Sequence, residues 1–136
     1  MKADNKSLGN LAEDLAAEFL VDHGYIILER NYRNNIGEID IIVLKSKSWL
    51  QHLISKKILP SSKIIFVEVK AQSNARFGLA EERIGYFKQQ KLRQLAAAYL
   101  KEKNLTQHSF RIDAIRVDLS QTSPNIKHIE SAVESN

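Results

Sequence analysis

Two strand-like stretches of the chain carry charged side chains where apolar ones are expected. In "GEIDIIV" (37–43) these are Glu38 and Asp40, and in "IIFVEVKAQ" (64–72) they are Glu68 and Lys70. Because side chains alternate along a strand, each pair shares one face of its strand. Carboxylates gathered beside a lysine suit the binding of a hard divalent cation and the hydrolysis of a phosphodiester bond.

The cluster predicted from these strands has two interpretations. If the two strands are neighbours, Asp40, Glu68 and Lys70 converge, and a carboxylate held away from water without a partner costs several kcal/mol. One interpretation is structural, with Lys70 forming an ion pair with Glu68 or Asp40. The other is a Mg²⁺ or Mn²⁺ site formed by Asp40, Glu68 and the backbone carbonyl of Val69, with Lys70 acting on the attacking water or on the developing charge.

A further acid precedes this pair in the chain. Apolar residues between positions 8 and 20 recur at helical spacing, and Glu13 lies about 120° from the centre of that apolar stripe. A glutamate at this border can reach the edge of a sheet and complete a metal site. A solvated glutamate is the commoner fate, and the helix alone favours it.

Hydrophobic periodicity predicts the elements that must position these groups. A helix is expected over 8–20, with Ser7 as its N-cap and Gly24 as its C-terminal stop. A hairpin follows, with strands "YIILERNYR" and "EIDIIVLK" and a turn "NNIG" whose Asn and Gly tolerate positive φ. Then come a strand "KIIFVEVKAQ", a long helix over about 80–103 disturbed near Gly85, and a strand "SFRIDAIRVDL". The tail "IKHIESAVESN" fits a short strand or a frayed helix.

Length and composition narrow the class of protein. The chain has 136 residues, no cysteine and a formal net charge of +4, which predicts one domain over 1–136, no thiolate metal site, and a mild affinity for polyanions. No HExxH, GxSxG or GxxxxGK[ST] motif is present. The polar N-terminus predicts a cytoplasmic protein without a membrane segment. Two basic stretches with aromatics, 30–35 and 83–93, predict a nucleic-acid face only if both flank one site.

An insertion at about 46–63 separates the second and third predicted strands. Its apolar residues predict one side of a short helix, ended by Pro60; they are Trp49, Leu50, Leu53, Ile54 and Ile58. Packing of this stripe on the parent domain is favoured. A helix that binds a partner or forms a dimer is the alternative, because Trp is frequent at interfaces.

Taken together, the motifs resemble those of the bacterial YraN family. They are "G..AE..A...L...GY.IL.RN.R...GEID" in 9–40, followed by "FVEVK", "FG.AEE", "K..KLR.LA..YL" and "F.ID....D". The resemblance covers nearly the whole chain apart from the insertion and the extreme tail. It implies an α/β fold, a restriction-endonuclease-like core of mixed β-sheet flanked by helices, similar to the archaeal Holliday-junction resolvases and the PD-(D/E)xK nucleases.

The resemblance also implies roles for residues. Asp40, Glu68 and Lys70 fall on the superfamily's metal and catalytic positions, Glu13 on the family's first-helix acid, and Glu38 on its "GEID" acid. Gln72 stands where the family more often has Arg. Further phosphate contacts are predicted from charge and position beside the site, namely Arg33, Arg76, Lys88, Lys91 and Arg93.

The function expected from this resemblance is metal-dependent endonuclease activity on DNA rather than RNA, with branched DNA as a candidate substrate. Lys70 is then the catalytic base, and similarity to the junction resolvases implies a homodimer. The alternative is a module that keeps the nuclease fold and binds nucleic acid or a protein partner without cutting.

Overall fold

Five strands of the chain form one sheet in the computed structural model, which describes residues 5–45, 58, 62–73 and 84–133. The elements in chain order are α1 (Asn5–Asp22), β1 (Ile26–Arg33), β2 (Glu38–Lys45), β3 (Lys63–Gln72), α2 (Tyr86–Glu102), β4 (Phe110–Asp118) and β5 (Asn125–Val133). The strand order in the sheet is the order in the chain. The fold is therefore α/β with a mixed sheet, as the resemblance implied.

Strand directions follow from the connections. The β1–β2, β2–β3 and β4–β5 pairs are antiparallel, whereas β3 and β4 are parallel. A parallel pair requires a crossover rather than a tight turn, and α2 lies within the segment that makes this crossover. The strands that carry Asp40 and Glu68 are thus direct neighbours at the centre of the sheet.

The two described helices cover opposite faces of the sheet. Small residues of α1, among them Ala12 and Ala16, pack with Ile41, Val43 and Val67 in one fully buried cluster. The second cluster joins α2 to the other face through Leu92, Leu95, Ala96, Tyr99, Leu100, Ile39, Ile42, Leu44, Ile64 and Phe66. Burial on both faces explains why β2 and β3 are nearly continuous apolar runs rather than alternating ones.

Some of the predicted boundaries are wrong. Because α1 is already helical at Asn5, Ser7 lies inside it and is not its N-cap. Gly24 does end this helix, with φ +87° and its N–H bonded to the carbonyl of Val21 at 3.1 Å. Gly85 is the N-cap of α2 rather than a disturbance within it, and the ambiguous tail is the edge strand β5.

The β1–β2 turn is stabilised in a way that the sequence did not predict. The side-chain oxygen of Asn34 accepts hydrogen bonds from the N–H of Ile36 at 2.8 Å and of Gly37 at 3.3 Å. The positive φ angles expected in this turn do not occur among its residues. An Asx-type turn therefore replaces the left-handed turn that Asn and Gly suggested.

The predicted helix of the insertion lies outside the described residues, as do Trp49, Leu50 and Pro60. Ile58, the one residue of the predicted stripe that is described, is half-buried against the α2-side cluster. None of the helices that the structure describes is long and apolar enough to span a membrane.

A polar cluster joins β4 to β5 on the side of the sheet away from β1. Asp113 is fully buried and accepts hydrogen bonds from Arg111 Nε (2.7 Å), from Arg111 Nη2 (2.8 Å) and from the N–H of Ser131 (2.9 Å). His128 Nε2 lies 2.7 Å from the same carboxylate. Burial by itself would raise the pKa of Asp113, but the hydrogen bonds from His128, Arg111 and Ser131 outweigh it and hold the pKa below the ordinary value.

Candidate functional site

The β1–β2 ribbon changes face at one point, where Asn31 lies opposite Asp40. The residues on one side of this point, Arg30 and Ile41, pair with each other, as do Tyr32 and Ile39 on the other side. Ile41 packs with α1, whereas Ile39 and Tyr32 pack with α2. Residues two apart in a regular strand share a face, so the ribbon is rotated here. The predicted simple alternation of β2 around Asp40 is therefore wrong.

Left-handed backbone at Asn31 accompanies this rotation. Its φ is +55°, a value that Asn tolerates better than most residues. Mid-strand residues seldom adopt it, and no periodicity argument identifies it. The Asn type within "RNYRNN" was the available signal.

Strands β2 and β3 separate at Asp40. Their pairing runs from Lys45 opposite Lys63 to Ile41 opposite Val67 and ends there. The next N–H of β3 on that edge, from Val69, donates instead to Asp40 Oδ2 at 2.8 Å. Because the N–H and C=O of one strand residue point to the same edge, the Val69 carbonyl also faces the gap that Asp40 occupies. A side chain has thus replaced a backbone acceptor in the ladder.

Glu68 lies across this gap and forms its ion pair with Lys88 of α2. The Lys88 Nζ to Glu68 Oε1 distance is 3.2 Å, and only 13% of the Glu68 side chain is exposed. Burial is the main cause that raises the pKa of Glu68, followed by the charge of Asp40, while Lys88 opposes both. The predicted ion pair of Lys70 with Glu68 or Asp40 is wrong, because Lys88 occupies that role.

Lys70 remains near the carboxylates without an ion pair to any described carboxylate. It is half-exposed near the end of β3, and its charge contributes a small lowering of the pKa of Glu68. The Lys70 charge therefore acts on Glu68 through space rather than through a direct ion pair.

Glu13 of α1 completes a group of acids. Burial, the charge of Asp40 and a hydrogen bond shared with Asp40 raise the pKa of Glu13 to about 7. Burial likewise raises the pKa of Asp40, partly offset by the Val69 hydrogen bond. The hydrogen bond between the two carboxyl groups raises the pKa of Glu13 and lowers that of Asp40, so it stabilises protonated Glu13 beside ionised Asp40.

Asn31 joins Glu13 to Glu38. Its amide is assigned with the nitrogen toward the acids, because the reverse would set its oxygen against two carboxylates. In this orientation the amide donates to Glu38 Oε1 and to Glu13 Oε2, each at 3.2 Å. The rotated ribbon thus delivers an amide donor between two acids that were predicted only separately.

The acid cluster should destabilise the protein when no metal is bound, and Glu13→Gln tests this. The pKa of Glu13, about 7, lies above the ordinary value for a glutamate, so the folded state loses stability as pH rises from about 5 to 8. Glu13→Gln keeps a hydrogen-bond donor toward Asp40 and removes the charge. We expect it to raise the melting temperature in EDTA at pH 8 and to leave it unchanged at pH 5.

The exposed Glu18 of the same helix provides the matched control for this experiment. Glu18→Gln removes the same charge outside the cluster and should show no comparable gain at pH 8. Equal melting temperatures of Glu13→Gln and the wild type at pH 8 would show that the acids do not repel one another.

The structure separates the predicted phosphate contacts into two groups. Arg33 forms an ion pair with Glu38 at 2.9 Å. The Lys91 side chain lies over Gly37, since a Cβ atom built on this glycine would be 3.1 Å from Lys91 Cε. Both therefore lie beside the acids, as does Lys88. Gln72 instead accepts a bond from Arg116 at 3.3 Å.

Arg93, another residue of that prediction, is not brought to the site. Arg93 is half-buried on α2, about 160° around the helix from Lys91. Arg76 lies outside the described residues.

Open clefts lie over the acids. One of about 620 Å³ is lined by Asn10, Glu13, Asn31, Arg33 and Glu38. A second, of about 400 Å³, shares three of these residues and adds Asp14 and Arg30. The clefts leave Glu13 and Glu38 accessible from the α1 side to a polar ligand.

The donor set fits a hard divalent cation. In the described residues no group of three or more His, Cys, Asp and Glu side chains is arranged to hold a metal ion. Mg²⁺ needs fewer protein ligands than this, since one or two carboxylates suffice when waters and substrate phosphates complete its octahedral coordination. The Val69 carbonyl faces the gap at Asp40, and the charge of Asp40 raises the pKa of Glu68 on the neighbouring strand. A cation bound here would relieve the repulsion between the two carboxylates.

Comparison with known proteins gives a consistent result. The sequence pattern described as "Uncharacterised protein family UPF0102" matches residues 12–117. A UPF0102 protein of Caldanaerobacter subterraneus subsp. tengcongensis is 35% identical over 96% of this chain and 98% of its own length. Another, of Clostridium beijerinckii, is 36% identical over 100% of both chains, and one of Dictyoglomus turgidum is 38% identical over 86% of each.

Proposed function

Since this chain belongs to the uncharacterised protein family UPF0102, the family of YraN, we propose its function from the site itself: metal-dependent hydrolysis of phosphodiester bonds in DNA. The family match, 12–117, spans every acid of the candidate site. The proposal also includes Mg²⁺ or Mn²⁺ as the cofactor.

One observation carries the proposal, namely the opening of the β2–β3 ladder at Asp40. The Asp40 carboxylate accepts the Val69 N–H in place of a backbone carbonyl of β2, and its charge raises the pKa of the largely buried Glu68 on β3. A purely structural sheet would continue its backbone ladder, and burying two repelling carboxylates costs stability. An arrangement that is costly in the free protein and suited to a cation is typical of a functional site.

The protein's own residues have separable tasks in this proposal. Asp40, Glu68 and the Val69 carbonyl would hold the cation. When bound, the cation would lower the pKa of a water and offset charge on the phosphate. Lys70 takes a proton from the attacking water or stabilises the developing negative charge. Glu13 and Glu38, linked by Asn31, orient waters at the α1 side of the cleft.

Cations at the rim favour a polyanionic substrate. Arg33, Lys88 and Lys91 lie beside the acids, and the chain has a formal net charge of +4. Lys88 is held by Glu68 in the free protein. Neutralisation of Glu68 by a cation would release Lys88 toward a phosphate.

The direct test is cleavage of labelled oligonucleotides by the purified protein. The substrates are four-way junctions, flaps, duplexes and single strands, each in Mg²⁺, Mn²⁺ and EDTA. The proposal expects cutting that requires the metal. A panel that is bound but never cut would contradict it.

A second function is favoured by the Lys88–Glu68 ion pair. This pair offsets the charge of Glu68 without any metal, as a site retained for structure would. The protein would then be a non-catalytic module that binds nucleic acid, with log K falling as log salt rises and no cleavage in any metal.

Asn31→Gly tests the positioning of the acids. Glycine adopts the left-handed φ of Asn31 without strain, so this substitution removes the amide and preserves the rotated ribbon. Asn31 holds Glu13 and Glu38, which in this proposal orient waters around the cation, and loss of such an outer partner typically costs about 10–100-fold in metal affinity or activity. We expect a loss of that order in Mn²⁺ affinity, measured by electron paramagnetic resonance.

The exposed Asn35 of the neighbouring turn supplies the control, since Asn35→Gly makes the same change of residue type beside the site. It should bind Mn²⁺ like the wild type. Unaltered Mn²⁺ affinity in Asn31→Gly would remove Asn31 from the site.

A further inference from the structure

Two adjacent aromatic residues lie in solvent at the start of α2. Tyr86 is 67% exposed and Phe87 is 86% exposed. Their rings contact each other edge to face, with centroids 5.6 Å apart. The other large hydrophobic side chains exposed in the described residues are Leu11 and Val21, both on α1. Within the described part of the chain, the most exposed apolar side chains therefore form one aromatic pair.

This pair is next to the candidate site. Lys88, the following residue, reaches Glu68 at 3.2 Å. Chain geometry and the length of a lysine side chain then place the Phe87 Cα no more than roughly 13 Å from the Glu68 carboxylate. Lys91, one helical turn after Phe87 and on the same side of α2, lies over Gly37 at the start of β2. The aromatic pair and the acid cluster therefore belong to one surface.

The chemistry of this surface identifies its occupant. An apolar interface with a protein would exclude charge from its centre, whereas here lysines follow the aromatic rings at one and four residues. Exposed rings interleaved with cations are the arrangement that binds single-stranded nucleic acid, with bases stacked on the rings and phosphates near the cations. A continuous duplex hides its base faces and offers nothing to stack on these rings.

We propose that Tyr86 and Phe87 form a stacking platform for unpaired bases, so that the preferred substrate has single-stranded nucleotides beside the phosphate to be cut. This inference rests on the proposed function for the reaction, but the platform itself is a binding surface. A flap, a fork, a splayed junction or a plain single strand satisfies it, and a blunt duplex does not.

The experiment measures binding in EDTA, so that cleavage does not enter. Oligonucleotides with 2-aminopurine in a single-stranded stretch report stacking by fluorescence quenching, and blunt duplexes of the same length are compared. The variants are Tyr86→Ala, Phe87→Ala and their combination. Val21→Ala, which also shortens an exposed apolar side chain but on α1, is the matched control, and Phe87→Trp tests rescue by another ring.

The expected result has three parts. The double variant loses roughly 10–100-fold in affinity for single strands, and the quenching of 2-aminopurine fluorescence is lost as well. Its affinity for blunt duplex stays within about twofold of the wild type. The dependence of log K on log salt keeps the wild-type slope, because stacking on a ring releases no counterions. Loss of a lysine–phosphate contact would instead make the slope smaller. Phe87→Trp and Val21→Ala bind like the wild type.

Other results would overturn the platform. Equal losses for duplex and single strand would show a general effect on the fold. Unchanged single-strand binding, with a smaller molecular mass of the double variant in solution, would assign the aromatic pair to a contact between copies of the chain. If the wild type binds no nucleic acid, the platform and the proposed function both fail. If the platform behaves as expected but no metal supports cleavage, only the proposed function fails.

Discussion

Asp40→Asn is expected to abolish metal-dependent cleavage while the protein keeps its fold. The amide oxygen of Asn can still accept the hydrogen bond that Val69 gives to Asp40 at 2.8 Å, so the junction between β2 and β3 is preserved. What is lost is a negatively charged oxygen ligand. Losing one such stabilising group typically costs about 100–1,000-fold in rate, and loss of the metal itself would cost more.

The measurement is cleavage of the most susceptible substrate under single-turnover conditions, with binding in EDTA measured in parallel. Affinity for DNA in EDTA should stay near the wild-type value, because the substitution leaves the cationic residues at the rim, Arg33, Lys88 and Lys91, in place. Asp40→Ala is the informative partner, since it removes both the charge and the Val69 hydrogen bond and should also lower stability. Cleavage by Asp40→Asn at the wild-type rate would refute the assignment.

Asp113→Ala is expected to cause the largest loss of stability. The substitution leaves Arg111, whose side chain is only 14% exposed, without its main partner, and removes the acceptor for the N–H of Ser131. Breaking a buried ion pair from one side costs about 3–5 kcal/mol. That is a large share of the roughly 5–15 kcal/mol that stabilises a typical domain. Urea unfolding at pH 7 measures the loss.

Acid should diminish the difference between Asp113→Ala and the wild type. The pKa of Asp113 is held below its ordinary value, so its contribution is fully present above about pH 3.9, the usual value for an unfolded Asp. It disappears as pH falls through the lower folded-state pKa. Asp118→Ala, at the end of the same strand, is the control and should cause a much smaller loss. If Asp118→Ala lost as much stability as Asp113→Ala, the buried cluster around Asp113 would contribute no more to stability than an aspartate at the end of the strand.

Local periodicity was sufficient for most of the elements. Strand β3 begins and ends where its apolar run does, at Lys63 and Gln72, and the hairpin before it has the predicted strands. Strands β2 and β3 are largely buried on both faces, so their composition alone separates them from the loops. The edge strand β5 was ambiguous because half of its residues face water. Its position depends on Asp113, His128 and Ser131, a contact that no local pattern encodes.

The candidate site was predictable in its residue types and not in its geometry. Asp40, Glu68 and Glu13 are brought together because β2 neighbours β3 and α1 packs on one face of these strands. In the sequence, the first was a condition, and the helix alone favoured a solvated Glu13. The rotated ribbon at Asn31 depends on how two strands pair, so it could not be predicted from either strand alone. The partner of Glu68 was misassigned to Lys70 because proximity in sequence concealed Lys88, which arrives from a different element.

The hydrogen bond from Val69 to Asp40 affects how relatives of this protein should be compared. Asp40 carries two kinds of selective pressure, one from chemistry and one from the architecture of the sheet, because its side chain substitutes for a backbone acceptor. A lineage that abandoned catalysis would still keep Asp or Asn at this position. Lys70 and Glu13 carry no such structural duty in the ladder, so they would drift first. If the proposed function is correct, retention of these two residues, rather than of the aspartate, would mark the members that perform the proposed reaction.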